Sequence, residues 1–165
     1  MSMIAMLRLA PGEDIDRLLA SPEAIEDFLE EGGEDPSGSL DVDKAWHGLH
    51  FLLTGTAWDG TSPLDFIVAG GEMVGDVDVG YGPARAFRPR DLKAIARAIE
   101  PFDEAELRRR FDPARMKKLE IYPDIWGRPP DEDDTLGYLI ENWSLLKPFI
   151  QKGAADGFGM IVWLA

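Results

Sequence analysis

Residues 3–9 read Met-Ile-Ala-Met-Leu-Arg-Leu, a short run that is almost continuously apolar. Residues 157–164, Gly-Phe-Gly-Met-Ile-Val-Trp-Leu, have the same character near the other end of the chain. Runs of this length and composition favour strands that are buried on both faces. We therefore expect both strands to lie in one central sheet with helices on both of its faces. The predicted fold is an α/β three-layer sandwich with a mixed sheet.

The chain between these two strands is mostly helical by its pattern of apolar residues. Segments 11–20 and 22–31 are predicted as short helices, the second with Ser21 as its N-cap. Segment 44–54 is apolar on nearly all sides, which predicts a buried helix. Further helices are predicted at 63–69, 92–99, 103–111, 112–119 and 133–152, with short strands between residues 72 and 87.

A length of 165 residues is that of one ordinary domain, long enough to bury a core without disulfide staples. Residues 32–39 are rich in Gly, Asp, Glu, Ser and Pro, which predicts an exposed loop and the most mobile segment of the chain. A domain boundary is not expected there, because too little chain precedes it to form a core. We therefore expect residues 1–165 to form a single domain.

Composition excludes several classes of function. The chain has no cysteine, which rules out disulfides, thiolate metal sites and a cysteine nucleophile. It has no run of about 18 or more apolar residues, and its first residues lack a basic leader and a cleavage site. We therefore expect a cytoplasmic protein that does not enter the membrane. The net charge of −14 repels nucleic acid, so nucleic-acid binding is not expected.

Acidic charge is concentrated in the first part of the chain. Residues 11–44 contain twelve acidic and two basic residues, whereas residues 84–118 contain eleven basic and six acidic residues. Such segments are usually the solvated faces of surface helices. An acidic face also attracts basic proteins and speeds their association. The first functional hypothesis is therefore a non-enzymatic accessory or immunity-type module whose helical face from Pro11 to Lys44 binds a basic protein.

Three stretches of the sequence resemble a known protein family. Residues 41–55, Asp-Val-Asp-Lys-Ala-Trp-His-Gly-Leu-His-Phe-Leu-Leu-Thr-Gly, resemble the signature helix of the YfbM-like proteins. Residues 80–85, Gly-Tyr-Gly-Pro-Ala-Arg, are similar to the family's glycine corner, and residues 121–126, Ile-Tyr-Pro-Asp-Ile-Trp, are similar to its tyrosine-proline loop. The closing strand at residues 160–164 also fits, so the resemblance spans essentially the whole chain.

This resemblance implies an α/β sandwich fold and a small bacterial protein of the cytosol. The YfbM-like family, domain of unknown function 1877, has no assigned activity, catalytic residues or cofactor, so none can be carried over to this chain. The motif residues of the family indicate at most which surface is functional. Any chemistry has to be inferred from the residue types in this sequence.

His47 and His50 are the only histidines and lie three residues apart in the predicted helix 44–54. That spacing turns their side chains about 60° apart on one side of the helix. Two imidazoles so placed can bind one metal together with a carboxylate such as Asp59, but a histidine on a buried helix more often bonds a carbonyl or carboxylate. We expect no metal and no other cofactor. The alternative role is a general base at His47 or His50, oriented by Asp59.

Residues 80–85 allow two interpretations. Glycines let the backbone approach a ligand closely, and Arg85 is a planar donor for a carboxylate or phosphate beside the Tyr81 ring. In the other interpretation, Gly80 and Gly82 supply positive φ angles for a turn, and Arg85 pairs with one of the many acidic residues. We favour the turn and retain Tyr81 and Arg85 as candidate ligand-binding residues. The sequence contains no complete nucleotide-binding or hydrolase motif.

Five tryptophans are many for this length and suggest an aromatic pocket for a base, a sugar or a cation. Trp46, Trp143 and Trp163 occupy core-like positions in predicted helices and a strand. Trp58 and Trp126 lie in predicted loops and are the two that we expect as exposed contact residues, although they can also cover the core. The candidate aromatic ligand contacts are therefore Trp46, Trp58 and Trp126.

The second functional hypothesis is a small enzyme or ligand-binding protein with a pocket around His47, His50, Tyr81 and Arg85. If both histidines are fully buried with no cavity near them, this hypothesis loses its only acid–base group with a pKa near neutral. We favour the binding module, because the charge asymmetry is a property of the sequence whereas the convergence of the pocket residues is assumed. The sequence does not predict an oligomeric state.

Overall fold

The structure, a computed structural model, describes residues 2–31 and 38–165. In these residues one sheet contains five strands: β1 (Ala5–Ala10), β2 (Ser39–Asp41), β3 (Glu72–Met73), β4 (Arg85–Phe87) and β5 (Gly159–Leu164). The same residues contain seven α-helices: α1 (Gly12–Ala20), α2 (Ile25–Glu31), α3 (Trp46–Thr54), α4 (Pro89–Ile99), α5 (Glu104–Arg110), α6 (Pro113–Lys118) and α7 (Thr135–Ala155). Most of the predicted loop 32–39, residues 32–37, lies outside the described residues.

The strand order of the sheet is β2-β1-β5-β4-β3. The first and last strands are therefore neighbours at its centre, as the two apolar runs predict, with Leu7 opposite Val162. Every strand pair is antiparallel. The prediction of a mixed sheet is therefore wrong. The apolar runs report burial on both faces, and helices that cover both faces bury antiparallel strands as they bury parallel ones. The two apolar runs therefore do not predict whether their strands are parallel or antiparallel.

Alternation along the central strands divides the apolar residues into two cores. Leu7, Phe87 and Val162 belong to the core formed with α3 to α7. Ala10 and Ile161 belong to a second core formed with α1 and α2. Because successive side chains of a strand point to opposite faces, one sheet supports both cores. The result is the predicted three-layer α/β sandwich, with a sheet between two helical layers.

The smaller layer consists of α1, a 3-10 turn at Pro22–Ala24 and α2, and we call it the acidic layer. Its fully buried residues are Ile15, Leu18 and Ile25, which form a narrow apolar side against the sheet. Ser21 makes no side-chain cap bond, unlike the prediction, and its backbone N–H donates to the Arg17 carbonyl oxygen at the end of α1. Most polar side chains of the layer are consequently left in solvent.

The larger layer is built around α3, in which every residue except the last is buried. This confirms the predicted buried helix at 44–54, although its first turn, Asp43–Ala45, is a 3-10 turn. Gly48 lets α3 lie against its neighbours, because a Cβ atom there would come within 2.7 Å of Leu139 Cδ2 and 2.8 Å of Trp126 Cη2. A side chain at position 48 is incompatible with this packing.

The remaining helices begin largely as the sequence predicts. Asp103, Asp112 and Asp134 each accept a hydrogen bond from a backbone N–H in the first turn of α5, α6 and α7. Residues 63–69, predicted as a helix, form turns instead. Several of their carbonyl groups are bonded by the Arg85 side chain and not by a helical ladder. Among the described residues, no helix is both long enough and apolar enough to cross a membrane.

Candidate functional site

The imidazole ring of His47 is fully buried, and both of its nitrogens are bonded to backbone groups. Nδ1 accepts a hydrogen bond from the Tyr122 N–H at 2.8 Å, which fixes the tautomer with hydrogen on Nε2. Nε2 donates to the Ala57 carbonyl oxygen at 2.7 Å. The ring therefore joins α3 to the loop that follows it and to the loop 121–126. No ring nitrogen is left for a substrate or a metal.

His50 lies one turn further along α3 and is also fully buried. Its Nε2 atom donates to the Asp59 carbonyl oxygen at 2.9 Å and lies 3.3 Å from the Thr54 hydroxyl oxygen. Among the described residues, Nδ1 of His50 is the one buried side-chain nitrogen or oxygen without a hydrogen-bond partner. Asp59, expected to orient a histidine through its carboxylate, thus binds His50 through its backbone and affects the ring further only by its charge.

Burial lowers the pKa of both histidines below their ordinary 6.5. The hydrogen bonds to the Ala57 and Asp59 carbonyl groups oppose this effect without overcoming it, so both rings are neutral at pH 7. Their Nε2 atoms bind separate carbonyl oxygens and do not converge on a common ligand. No group of three or more His, Cys, Asp or Glu side chains within the described ranges is placed to hold a metal.

Aromatic rings surround His47 and lead to the surface. The Trp46 ring stacks on His47, with centroids 4.9 Å apart and planes 12° from parallel, and the Tyr122 ring stacks on Trp46 at 5.7 Å. The Trp58 ring lies 4.3 Å from the His47 ring, centroid to centroid. Trp46 is fully buried and donates its indole N–H to the Met3 carbonyl oxygen at 2.9 Å, whereas Trp58 is 58% exposed. The core position of Trp46 and the exposure of Trp58 agree with the predictions, and burial leaves Trp46 no accessible surface as a candidate ligand contact.

Trp126 is not at the surface, although its place in a predicted loop suggested exposure. Its ring is 1% exposed and packs against Gly48 of α3. Its indole N–H donates to the Ile121 carbonyl oxygen at 2.9 Å. The missing side chain at position 48 leaves room for this ring, which closes the loop 121–126 over α3. Trp126 is therefore a core residue of the larger layer.

Tyr81 lies in the turn 80–82, beside the end of β5. Its N–H donates to the Leu164 carbonyl oxygen at 3.0 Å, and its side chain is partly exposed. Gly80 and Gly82 have φ angles of 151° and 101°, which confirms the interpretation of this corner as a turn. A Cβ atom at Gly80 would lie 2.5 Å from the Leu164 carbonyl oxygen. The glycine is required by the close approach of the turn to β5.

Arg85 lies on β4 and uses its guanidinium group to bind backbone carbonyl oxygens. It donates to Phe66 at 3.0 Å and to Ile67 at 2.7 Å, and it bonds two further carbonyl groups of the same segment. The expected ion pair with an acidic side chain is absent within the described residues, where Asp65 acts on Arg85 by charge alone. Burial lowers the pKa of Arg85 to about 10, so the group stays charged at neutral pH. Its Nη1 and Nη2 atoms hold the segment 66–70.

The candidate pocket residues are not brought together in any of five prominent clefts among the described residues. These clefts have volumes from about 280 to about 710 Å³. Trp126 contributes to the lining of one of them, next to α5 and α6. None of these five clefts is lined by the other candidates, which are Trp46, His47, His50, Trp58, Asp59, Tyr81 and Arg85.

The acidic layer presents its carboxylates to solvent. Asp14 pairs with Arg17 at 2.6 Å, and Asp16 pairs with Arg88 at the start of α4. The other acidic residues of the layer are all exposed and form no ion pair with another described residue: Glu13, Glu23, Glu26, Asp27, Glu30 and Glu31. This outer surface of the smaller layer is therefore strongly anionic.

Tyr138 on α7 is a site residue that the sequence analysis missed. Its hydroxyl group donates to Asp43 Oδ2 at 2.6 Å and accepts from the Lys44 N–H at 3.1 Å, and burial together with the Asp43 carboxylate raises the pKa of Tyr138. These three residues line a cleft of about 530 Å³ beside the loop 121–126. Asp43 and Lys44, at the end of the predicted acidic face, thus contact the larger layer. No sequence signal reveals the contact, because Asp43 and Tyr138 lie 95 positions apart.

Taken together, these features define a three-layer α/β sandwich whose histidines serve the fold and whose outer helical layer is acidic. Residues 1–163 match the family described as Domain of unknown function (DUF1877), and the chain belongs to that family. Protein YfbM of Escherichia coli (strain K12) is 34% identical to this chain over 130 residues, which cover 76% of this chain and 75% of YfbM. The crystal structure of YfbM from Escherichia coli matches with a TM-score of 0.71 and 27% identity, over 98% of this chain and 99% of that chain.

These comparisons confirm the resemblance to the YfbM-like proteins and the fold that it implies. The crystal structure of YfbM is described as that of a protein of unknown function, and the family as a domain of unknown function. Neither provides an activity or a ligand. The function has to be inferred from the geometry of this chain.

Proposed function

We propose that the protein is a non-enzymatic binding module of the cytoplasm, of the accessory or immunity type, whose acidic layer binds a basic protein. The supporting observation is the set of six exposed carboxylates on this layer that form no ion pair with another described residue. A basic surface that covers them forms new ion pairs without breaking existing ones. Such complementary charge speeds association and selects the partner.

The acidic layer also contains a cleft, between α1 and α2, that can accept a side chain of the partner. Its volume is about 390 Å³, and its lining combines the apolar side chains of Leu18, Ala24 and Phe28 with acidic side chains that include Asp27. Arg8 of β1 also lines the cleft and is held there, because its guanidinium group bonds the Phe28 carbonyl and lies 3.9 Å from the centroid of the Phe28 ring. A partner side chain with an apolar stem and a cationic end matches this combination.

The alternative, an enzyme with a pocket around His47, His50, Tyr81 and Arg85, is favoured by no observation on the described residues. Both histidines are fully buried and bonded to backbone carbonyl groups. Both terminal nitrogens of Arg85, Nη1 and Nη2, are bonded to carbonyl groups of the segment 66–70. The binding module requires only groups that are already exposed, so the geometry supports it better.

The test is affinity capture of the tagged protein from lysate of its own host, at low and at moderate salt. A triple variant of the acidic layer, Glu23→Lys, Glu26→Lys and Glu30→Lys, reverses exposed charges without breaking a described ion pair. We expect one basic protein to be captured in stoichiometric amount by the wild type. The variant should lose it, and moderate salt should weaken its binding, because salt screens exposed charges.

A matched control separates the acidic layer from net charge. The variant Asp131→Lys, Glu132→Lys and Glu141→Lys changes the net charge equally at exposed positions outside the layer. It should retain the partner. The captured protein is then purified, and its dissociation constants for the three forms are measured at two salt concentrations. Equal affinity for both variants, or no partner for any form, contradicts the proposal.

A further inference from the structure

Trp58 is bonded differently from three buried tryptophans of the larger layer. The indole N–H groups of Trp46, Trp126 and Trp143 donate to carbonyl oxygens at 2.9, 2.9 and 2.7 Å. The indole N–H of Trp58 has no hydrogen-bond partner among the described residues, and the residue is 58% exposed. Part of the Trp58 side chain is therefore accessible to a ligand.

The two buried histidines hold the backbone on both sides of Trp58. The carbonyl group of the preceding residue, Ala57, accepts from His47, and that of the following residue, Asp59, accepts from His50. One side of the indole ring packs over the His47 ring at 4.3 Å. An aromatic side chain fixed in this way loses little conformational entropy when a partner covers it. Exposed tryptophans with such support are typical anchors of binding surfaces.

The chemistry around Trp58 selects a cationic ligand. Tryptophan is the aromatic side chain that attracts cations most strongly through the face of its ring. In the described residues, the three cation–π pairs within the chain use phenylalanine rings, so this capacity of Trp58 is unused. The next residue, Asp59, is exposed and acidic, and the chain has a net charge of −14. Burial lowers the pKa of His47, so the ring beneath Trp58 adds no competing positive charge.

We propose that Trp58 and Asp59 form a binding site for the guanidinium or ammonium group of a basic peptide segment, which stacks on the exposed face of the indole ring. This site does not rest on the acidic layer. Trp58 packs on α3 in the larger layer, and the acidic layer covers the other face of the sheet. The His47 and His50 bonds to Ala57 and Asp59 give the site its fixed shape.

The test uses a blocked pentapeptide, glycine-arginine-glycine-arginine-glycine, and the same peptide with citrulline in place of both arginines. Citrulline keeps the shape of arginine and removes its charge. Each peptide is titrated into nitrogen-15-labelled protein at about 150 mM salt, where exposed charges are screened beyond about 8 Å. The observed signals are the Trp58 indole N–H, assigned by its loss in Trp58→Phe, and the Asp59 amide.

We expect the arginine peptide to shift both signals in a saturable manner and the citrulline peptide to leave them in place. Trp58→Leu should lower the affinity for the arginine peptide about two- to five-fold, the range of an exposed cation–π contact. Asp59→Asn should lower it less. The other four tryptophan indole signals report whether each variant is folded. If a variant is not folded, the wild-type response to the arginine and citrulline peptides alone tests the site.

Several results overturn the proposal, and they are distinguishable from failure of the proposed function. If the arginine peptide shifts amides of α1 and α2 and leaves the Trp58 indole unmoved, basic peptides bind the acidic layer alone. If both peptides shift the indole equally, Trp58 recognises shape without charge. The variant Glu26→Lys with Glu30→Lys should keep the Trp58 response, and its loss there would show that the site is not independent of the acidic layer.

Discussion

Helix α3 and the acidic layer cover opposite faces of the same sheet and use their polar residues in opposite ways. In α3, His47 and His50 are fully buried and bonded to carbonyl groups of the following loop. In the acidic layer, six carboxylates are exposed and form no ion pair with another described residue. By residue type, histidine suggests chemistry and a surface carboxylate suggests only solvation. In this structure the environment of each group gives the opposite result: the histidines are structural, and the carboxylates are available for binding.

This difference teaches that partners and exposure decide what a polar residue does. A buried imidazole with a hydrogen bond to backbone contributes to stability, because loss of the bond leaves a buried group unsatisfied. An exposed carboxylate without a partner contributes little to stability and is available for binding. Substitutions in α3 should therefore change stability, and substitutions in the acidic layer should change binding.

The largest effect is expected for His47→Leu. The variant leaves the Ala57 carbonyl group and the Tyr122 N–H without their partner. A fully buried unsatisfied group costs about 1–3 kcal/mol, and Ala57 and Tyr122 are only partly buried, so the free energy of unfolding should fall by about 2–4 kcal/mol. Urea unfolding followed by tryptophan fluorescence measures it.

His47→Gln is the control, since its amide nitrogen can replace Nε2 as donor to Ala57 while the bond to Tyr122 is lost. Its free energy of unfolding should lie between those of the wild type and of His47→Leu. If His47→Leu is as stable as the wild type, the ring is not a structural group. The assignment of α3 to stability alone would then be wrong.

A loss of about 2–3 kcal/mol is expected for Arg85→Met, which removes the donors to the carbonyl groups of Phe66 and Ile67 and to two of their neighbours. This prediction extends the comparison, because Arg85 is a charged residue used in the same way as the histidines. Arg85→Lys keeps a charge but not the planar fork and should recover only part of the loss. Thermal and urea unfolding give the values. If the stability of Arg85→Met is unchanged, the guanidinium group is not needed by the fold, and Arg85 becomes a candidate binding residue again.

The fold was predictable where burial leaves a pattern in the sequence. The apolar runs at β1 and β5 predict two central strands, and the structure places them side by side. Strand β2 has no such pattern. Its three residues are extended because they pair with the edge of β1, with Leu40 opposite Leu7. A contact of this kind depends on a partner distant in sequence, and local periodicity does not contain it.

The candidate site was predictable only in part, for the same reason. The apolar residues around segment 44–54 correctly predict that His47 and His50 lie on one buried helix. Their partners are carbonyl groups at Ala57 and Asp59, which every residue possesses, so no side-chain pattern could indicate them. Residue type suggested an acidic partner for Arg85, and again the partners are carbonyl groups. Backbone partners are invisible to motif analysis.

A smaller effect is expected from pH, and its sign follows from the burial of the histidines. Burial lowers the pKa of His47 and His50 in the folded state below 6.5, the value expected for the unfolded chain. The unfolded state therefore takes up protons first as the pH falls. Stability should be full above pH 6.5 and should decline as the pH falls from 6.5 toward the folded-state pKa. The slope is at most about 1.4 kcal/mol per pH unit for each histidine.

His50→Gln isolates the contribution of one histidine. Its amide nitrogen can still donate to the Asp59 carbonyl group, but the side chain does not titrate. Between pH 6.5 and 5.5 the variant should show a shallower slope than the wild type when the free energy of unfolding is measured by urea titration. A slope as steep as that of the wild type would assign the pH dependence to other groups and would remove the linkage argument for α3.

The smallest effect is expected for neutralisation of the acidic layer by Glu26→Gln with Glu30→Gln. Both side chains are exposed and form no ion pair with another described residue, so the melting temperature should change by no more than about 2 °C. Differential scanning calorimetry measures it, with Glu141→Gln as an exposed control outside the layer. A clear rise would show that repulsion among these carboxylates strains the free protein, which still fits a surface kept for binding. A clear fall would mean that the carboxylates stabilise the fold, and the contrast between the two faces of the sheet would no longer hold.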